Sequence, residues 1–397
     1  MDVYLLDWAN LLLRWLHVVT AIAWVGSSFY FVWLDNHLIK PKSPDLLEKG
    51  VDGALWAVHG GGFYNPQKYM VAPKKIHTEL HWFYWESYST WLSGFALFTV
   101  LYLWNAGTFL VDKSVFEWSG VAAGAAALGF LVAFWLAYDT ICRTLGQRDS
   151  GDRLVGIAVT AVIVFASWAA CQLFAGRAAF LLVGAMLATA MSANVFFWII
   201  PGQRKVVAAM LVGQPVDPVH GRRGKQRSVH NTYLTLPVLI AMLSNHYGWL
   251  YQGRWNWLVL VLLMLAGAMI RHFFVARHKA HLKGVPPPWG WAAGGVALIA
   301  AVVVGLRPAA PAPAQAASPP PSFAQVQAVV EQRCVVCHNA QLQQKNVALH
   351  TPQLIRQHAL AVYQQVAVLK LMPLNNATQI TDEERVLIRR WHEAGTP

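Results

Sequence analysis

Apolar runs long enough to cross a bilayer recur along this 397-residue chain, and that recurrence limits its fold more than any other feature. The hydrocarbon layer is about 30 Å thick, which takes about 20 consecutive apolar residues of α-helix to span. Helices are predicted near 10–34, 88–110, 118–138, 154–175, 178–200, 232–250, 255–275 and 289–306. Composition agrees with that reading: 56% of residues are hydrophobic, only 13% are charged, and 19 are Trp. The sixth run is interrupted by Pro237 and has His246 near its end. The first is too long for a secretory leader and lacks a small-residue cleavage site, so it reads as a span.

Charge patterning tests this count. The loop after the first run carries Lys40, Lys42, Lys49, Lys68, Lys74 and Lys75. After the third come Arg143, Arg148 and Arg153; after the fifth, Arg204, Lys205, Arg222, Arg223, Lys225 and Arg227; after the seventh, Arg271, Arg277, Lys279 and Lys283. The alternate loops hold only Lys113, Arg177 and Arg254. By the positive-inside rule the basic loops are cytoplasmic. The N-terminus is then outside, and eight spans return the C-terminus outside. The net charge of +12 therefore records membrane orientation and calls for no nucleic-acid partner.

Beyond the last run, 307–321 is rich in Pro and Ala and cannot pack a core; it reads as an extended tether. The tail that follows contains Cys334-Val-Val-Cys337-His338, the C-x-x-C-H pattern of covalent haem c attachment. Two thiols add to the haem vinyl groups, and the imidazole becomes an axial ligand. Chance, a redox dithiol or a zinc half-site are the other readings, but zinc needs two further ligands and no other Cys follows. Met372-Pro373, thirty-four residues on, offers a thioether as the second axial ligand. Neutral His and Met ligands raise the potential, as suits an electron acceptor. Phe323 to Arg333 reads as a helix entering the motif. Thr381 reads as the N-cap of a second helix with Val386, Leu387 and Trp391 on it, running out at Gly395. These features resemble class I cytochrome c domains. Haem c is attached outside the bacterial inner membrane, which agrees with the side that the charge pattern assigns. The expected fold is thus all-α: an eight-helix transmembrane bundle (1–306), a linker (307–321) and a small periplasmic cytochrome c-type domain (322–397).

The bundle carries more polar residues than an anchor needs, and ionisable groups within spans point to a site. Arg14 and His17 share a face of the first helix, and Asp35 ends it. His77-Thr-Glu79-Leu-His81 leads into the second helix, with Glu86 close behind; the two His, one helical turn apart, are placed to offer paired imidazoles to a metal or a substrate. Asp139, Arg143, Asn194, His230, Asn231, Arg271 and His272 gather toward the cytoplasmic side. Helix-end capping is the plain reading of Asp35, Asp139, Arg143 and Arg271. Cys142 and Cys171 read as buried small hydrophobes.

The stretch His17-Val-Val-Thr-Ala-Ile-Ala-Trp24-Val-Gly26-Ser-Ser-Phe29-Tyr30 resembles the first helix of certain protoporphyrinogen oxidases, whose His binds a b-type haem. A wider resemblance rests on His59-Gly-Gly-Gly62-Phe-Tyr, Trp85-Glu86-Ser-Tyr88-Ser-Thr90-Trp91-Leu-Ser-Gly94, eight spans and the tethered tail. Together they look like the membrane-bound urate hydroxylases, a urate oxidase N-terminal membrane domain fused to cytochrome c. That resemblance implies oxidation of urate to 5-hydroxyisourate in purine degradation. Its electrons pass to the protein's own haem c and then to an acceptor of the respiratory chain, rather than to oxygen. It carries over Cys334, Cys337, His338 and Met372 as the haem residues.

A planar anion such as urate needs a cation, an aromatic face and a general base. The candidates are His77, His81 and Glu86 for acid–base work and Arg143 or Arg271 as the anion clamp. Because one tunnelling step cannot cross the bilayer, His17, placed in the outer half of the first helix, is the candidate ligand of a second haem, of b type, with His246 as a partner; quinone is the other relay. Two further readings stand beside the urate hydroxylase. One is a haem b/c membrane oxidoreductase acting on a quinol or porphyrinogen. The other is a non-enzymatic membrane-anchored electron-transfer cytochrome.

Overall fold

The computed structural model describes residues 2–69, 73–74, 76–148, 151–307 and 319–397. Most of the expected linker, including Pro308, Pro311 and Pro313, lies outside those residues, as does Lys75.

Each predicted run contains a helix, though the second breaks at 104–105, short of the predicted 110, and the sixth ends at Leu243, short of the predicted 250. The helices are α1 (Asp2–His37), α2 (Trp85–Phe98), α3 (Gly120–Thr144), α4 (Gly151–Leu173), α5 (Gly176–Leu211), α6 (Pro218–Leu243), α7 (Asn256–Leu282) and α8 (Trp289–Gly305). Five of them, α1, α3, α4, α5 and α7, are long and apolar enough to cross a membrane. The other three differ for identifiable reasons. Helix α2 passes into a π-helical turn at Thr99–Leu103. Helix α8 has 17 residues. Helix α6 opens with the polar stretch His220-Gly-Arg-Arg-Gly-Lys-Gln-Arg227. It begins well before the predicted 232, because Asp217 caps the Val219 amide and Pro218 occupies the first turn, and it runs on through Pro237.

Helix α5 is central, touching α2, α3, α4 and α6. Its Ala178, Phe180, Leu182, Val183, Met186, Leu187 and Ala190 are all buried. Helix α1 packs along α2 and α7 and leaves Tyr4, Leu5, Trp8, Leu11, Trp15 and Ile22 exposed. Such an apolar outer face is what lipid tails require. Helix pairs meet at small residues: Gly94 lies under the His17 ring, where a Cβ would stand 2.8 Å from Cε1.

Between α1 and α2 the chain makes two small antiparallel ribbons. Strand β1 (Gly53–Ala54) pairs with β4 (Gln67–Lys68), and β2 (Ala57–His59) pairs with β3 (Gly62–Tyr64). The His59-Gly-Gly-Gly62 segment is the hairpin turn between β2 and β3, with positive φ at Gly60 and Gly61.

The tail has its own core. Helices α9 (Phe323–Arg333) and α11 (Asp382–Glu393), with the short α10 (Pro352–Gln357) between them in the chain, bury Val326, Val330, Ile355, Ile388 and Trp391. Both long helices begin with capping boxes, Ser322 with Gln325 and Thr381 with Glu384. Arg333 forks onto Glu384 at 3.0–3.1 Å and donates to the Thr378 carbonyl at 2.7 Å, locking the helices together. Of the predicted helix face, Trp391 is buried and Leu387 half-buried, but Val386 is exposed; Ile388 takes its place inside.

Candidate functional site

The bundle's polar groups converge at the end away from the tail. A π-helical turn over Asn194–Ile199 in α5 turns Asn194 and Trp198 toward α3 and α6. Asn194 is fully buried; its Nδ2 donates to the Tyr138 hydroxyl and to Asn231 Oδ1, both at 2.9 Å. Asn194 Oδ1 accepts from Arg227 Nη1 at 3.3 Å, and Arg227 Nη2 meets Asp139 Oδ1 at 2.7 Å. Trp198 Nε1 donates to the same Asp139 oxygen at 2.8 Å. The Tyr138 hydroxyl bonds His230 Nδ1 at 2.8 Å, and the Arg227 guanidinium lies over the Tyr138 and Trp198 rings. Arg227 is 2% exposed. A cation held so deep requires this pairing, because burying it unpaired costs several kcal/mol.

Arg227 was counted in the sequence only as a loop cation. Arg227, His230 and Asn231 lie at i, i+3 and i+4, one face of a helix, and that spacing was the signal available. The predicted start of this helix at 232 hid it. Arg143, a predicted anion clamp, stays outside the network: its side chain is 65% exposed and 3.9 Å from Asp139.

Arg271 is different. It is 1% exposed, yet its partners are neutral: Nε donates to the Thr232 carbonyl at 3.3 Å, and Nη2 to the Ser28 carbonyl and hydroxyl at 3.2 and 3.1 Å. The Phe29 ring covers it at 4.0 Å. Among the described residues no carboxylate pairs with it. The register of α1 against α2 locates a second incomplete group. His17 meets Thr90 and Ser93, and Phe31 meets Phe83 at 5.2 Å, so Ser28 falls opposite the start of α2. There Glu86 Oε2 is buried with no hydrogen-bond partner. Two of the predicted residues, Arg271 and Glu86, thus share one level of the bundle.

His77 and His81 are not brought together. The chain before Trp85 is not helical, so the four-residue spacing places no two imidazoles on one face; both are exposed, and His81 packs edge-on against Phe83. His17 lies in the N-terminal half of α1 (Asp2–His37), opposite the middle of the Trp85–Leu103 run. Its Nδ1 bonds the Thr90 carbonyl at 3.1 Å and Ser93 Oγ at 3.2 Å. His246 is exposed and next to Asn245, whose Oδ1 accepts from Tyr102 at 3.0 Å. Tyr102 is about 12 Å beyond Gly94 along the helix axis, so His17 and His246 do not share a site. Cys142 and Cys171 are buried as expected.

In the tail the Cys-x-x-Cys-His segment forms the turn that ends α9, the amides of Cys337 and His338 both meeting the Cys334 carbonyl at 3.1 Å. Cys334 is buried and Cys337 exposed. Burial, with Cys337 beside it, pushes the Cys334 thiol up to about 11. His338 Nδ1 is fixed by the Val347 carbonyl at 3.0 Å, which orients the ring and leaves Nε2 free for a ligand bond. Met372 packs on the same core cluster as Cys334, and its carbonyl accepts from Arg385 at 2.9 Å.

Fold and site together define a helical protein with, among the described residues, five helices of membrane-crossing length, charged groups buried among them, and a tail bearing a thiol–thiol–imidazole motif. The family described as urate oxidase N-terminal matches residues 3–306, and the chain belongs to that family. No curated protein and no solved structure matches the chain. Membership suggests a urate-related oxidoreductase role.

Proposed function

We propose that this chain is a multi-pass inner-membrane urate hydroxylase whose own periplasmic tail receives the electrons. One observation carries the reading: the family match over residues 3–306 lies in a chain that continues into Cys334-Val-Val-Cys337-His338. The tail rests on the cation-poor loops of the bundle, in accord with the orientation that the charge pattern gives.

Urate is a planar anion. Arg271 is the proposed clamp, since a bound anion would complete a buried charge that has no carboxylate partner among the described residues. Glu86, at the same level, is the proposed base. Water adds to the urate anion to form the C5–O bond as one of its O–H bonds breaks; the products are 5-hydroxyisourate, one proton and two electrons, and Glu86 takes that proton. His77, His81 and Arg143 stand apart from this level and are given no part in it.

A haem c would be held by Cys334 and Cys337 through thioether bonds, with His338 and Met372 as the side chains that would bind its iron. It would supply one-electron acceptance. The residues fit that role. His338 has its Nδ1 occupied and its Nε2 free, and Cys334 and Met372 line one core. About 30 Å of bilayer separates the two ends of the bundle. A relay between them belongs to the proposal, and His17, at mid-height, is its candidate ligand.

The test is anaerobic addition of urate to oxidised membranes. Growth of the reduced c-type haem absorbance is expected. Haem that dithionite reduces but urate leaves oxidised would overturn the reading.

A further inference from the structure

The hydrogen bonds between the tail and the bundle grip one loop of the tail on both sides of Met372. On one side Gln252 Nε2, from the loop between α6 and α7, donates to the Leu369 and Lys370 carbonyls at 3.0 and 2.8 Å. On the other, Asn375 Nδ2 of the tail donates to the Thr108 and Phe109 carbonyls, beyond α2, at 2.7 and 3.0 Å. Between these grips Leu371 lies so closely on Gly248 that a Cβ there would clash with Leu371 Cδ2. Each partner thus offers one amide to the other's backbone. The contact is nearly free of charge. Lys370 spends its ammonium within the tail on Asp382 at 3.0 Å. Among the described residues the one ion pair across the junction, Lys345 with Asp7, is 3.8 Å long and exposed at both ends.

We propose that this clasp is a built electron-transfer junction, in which Gln252 and Asn375 are positioning residues that hold the Met372 side of the tail against the bundle. It rests on the reading of the tail as a haem c carrier. A redox partner steered by charge docks weakly and loses rate as salt screens it. A tethered partner held by neutral amide–carbonyl bonds keeps one register and is indifferent to salt. Phe109, whose carbonyl Asn375 grips, packs on Tyr102 at 5.8 Å, and Tyr102 stacks on Phe98 at 5.6 Å, so the grip falls where the packed interior of α2 reaches the surface. The electrons are the two that urate loses under the proposed function, and the haem c of the tail would accept them one at a time.

Full-length protein in nanodiscs, wild type and Gln252→Ala/Asn375→Ala, provides the test. Stopped-flow reduction of the c-type haem by urate is expected to slow at least about tenfold in the double variant, given the loss of four hydrogen bonds of ordinary strength. The haem spectrum and midpoint potential should stay unchanged, and the wild-type rate should hold between low and high salt. Hydrogen exchange gives a readout independent of turnover: segments 369–376 and 106–110 should both lose protection in the double variant. Wild-type transfer rate in that variant, or a wild-type rate that falls severalfold with salt, overturns the clasp while leaving the proposed function standing. Absence of any urate-driven reduction in the wild type overturns the functional reading beneath it instead.

Discussion

The two halves of this chain organise polar chemistry in opposite ways. In the tail the reactive groups are neighbours in sequence: Cys334, Cys337 and His338 occupy a single turn, and the helices on either side are fixed by local caps. In the bundle they come from far apart: Asp139, Asn194 and Arg227 reach one network from α3, α5 and α6, and Arg271 is held by Ser28 from the other end of the chain. In an apolar interior a polar side chain must find partners wherever helices bring them. A water-facing domain can dispose its reactive groups along one short segment.

If this contrast is right, the two halves should fail differently. The largest effect is expected from Cys334→Ala/Cys337→Ala. Covalent haem staining should vanish and urate-driven electron flow fall at least about a hundredfold, while the bundle still inserts and resists proteolysis. Loss of the bundle as well would show the halves to be one folding unit.

Next is Arg271→Ala. The proposed clamp should cost about a hundredfold in kcat/KM, about 2.7 kcal/mol. The haem spectrum should be unaltered. A change confined to thermal stability would reduce Arg271 to a structural tie between α1, α6 and α7.

Asp139→Asn probes the neighbouring network. Removing one partner of a buried pair leaves Arg227 uncompensated, at a cost of about 3–5 kcal/mol, visible as a lower melting temperature in detergent. Arg143→Ala, on the exposed partner, should change stability by less than about 0.5 kcal/mol.

Gly94→Ala drives a methyl into the His17 ring and should destabilise by about 1–3 kcal/mol. His17→Ala relieves that crowding. If His17 serves the relay, His17→Ala should also abolish reduction of the c-type haem by urate; retained turnover would leave it a packing residue.

The smallest effect concerns the tail and pH. Burial pulls the Glu384 carboxyl upward, and the Arg333 fork with the Thr381 amide more than reverses it, holding it below the usual carboxylate range. Its stabilising contribution is therefore complete above the unfolded value, about 4.3. It should fade as pH falls through the lowered folded value. Tail unfolding followed from pH 6 to 2.5 should show this loss, and Glu384→Gln should flatten it.

Most helix positions were legible because those apolar runs are continuous, and the tail's caps because Ser322 with Gln325 and Thr381 with Glu384 are local pairs. The length of α6 was not: its first half is polar and reads as loop, although Asp217 and Pro218 mark its start. Nor was the fate of His77 and His81 legible, since a four-residue spacing pairs side chains only where the chain is helical.

By itself the sequence determined that the chain is helical, which segments are apolar enough to seek a membrane, and where thiols and imidazole meet in the tail, since each of these depends on residues close in the chain. Only the tertiary structure decided that Arg227 belongs to Asp139, that Arg271 is buried with no carboxylate partner among the described residues, and that Gln252 and Asn375 hold the tail by its Met372 loop. Those facts depend on helix register and on docking, which packing over the whole molecule sets and no local pattern encodes.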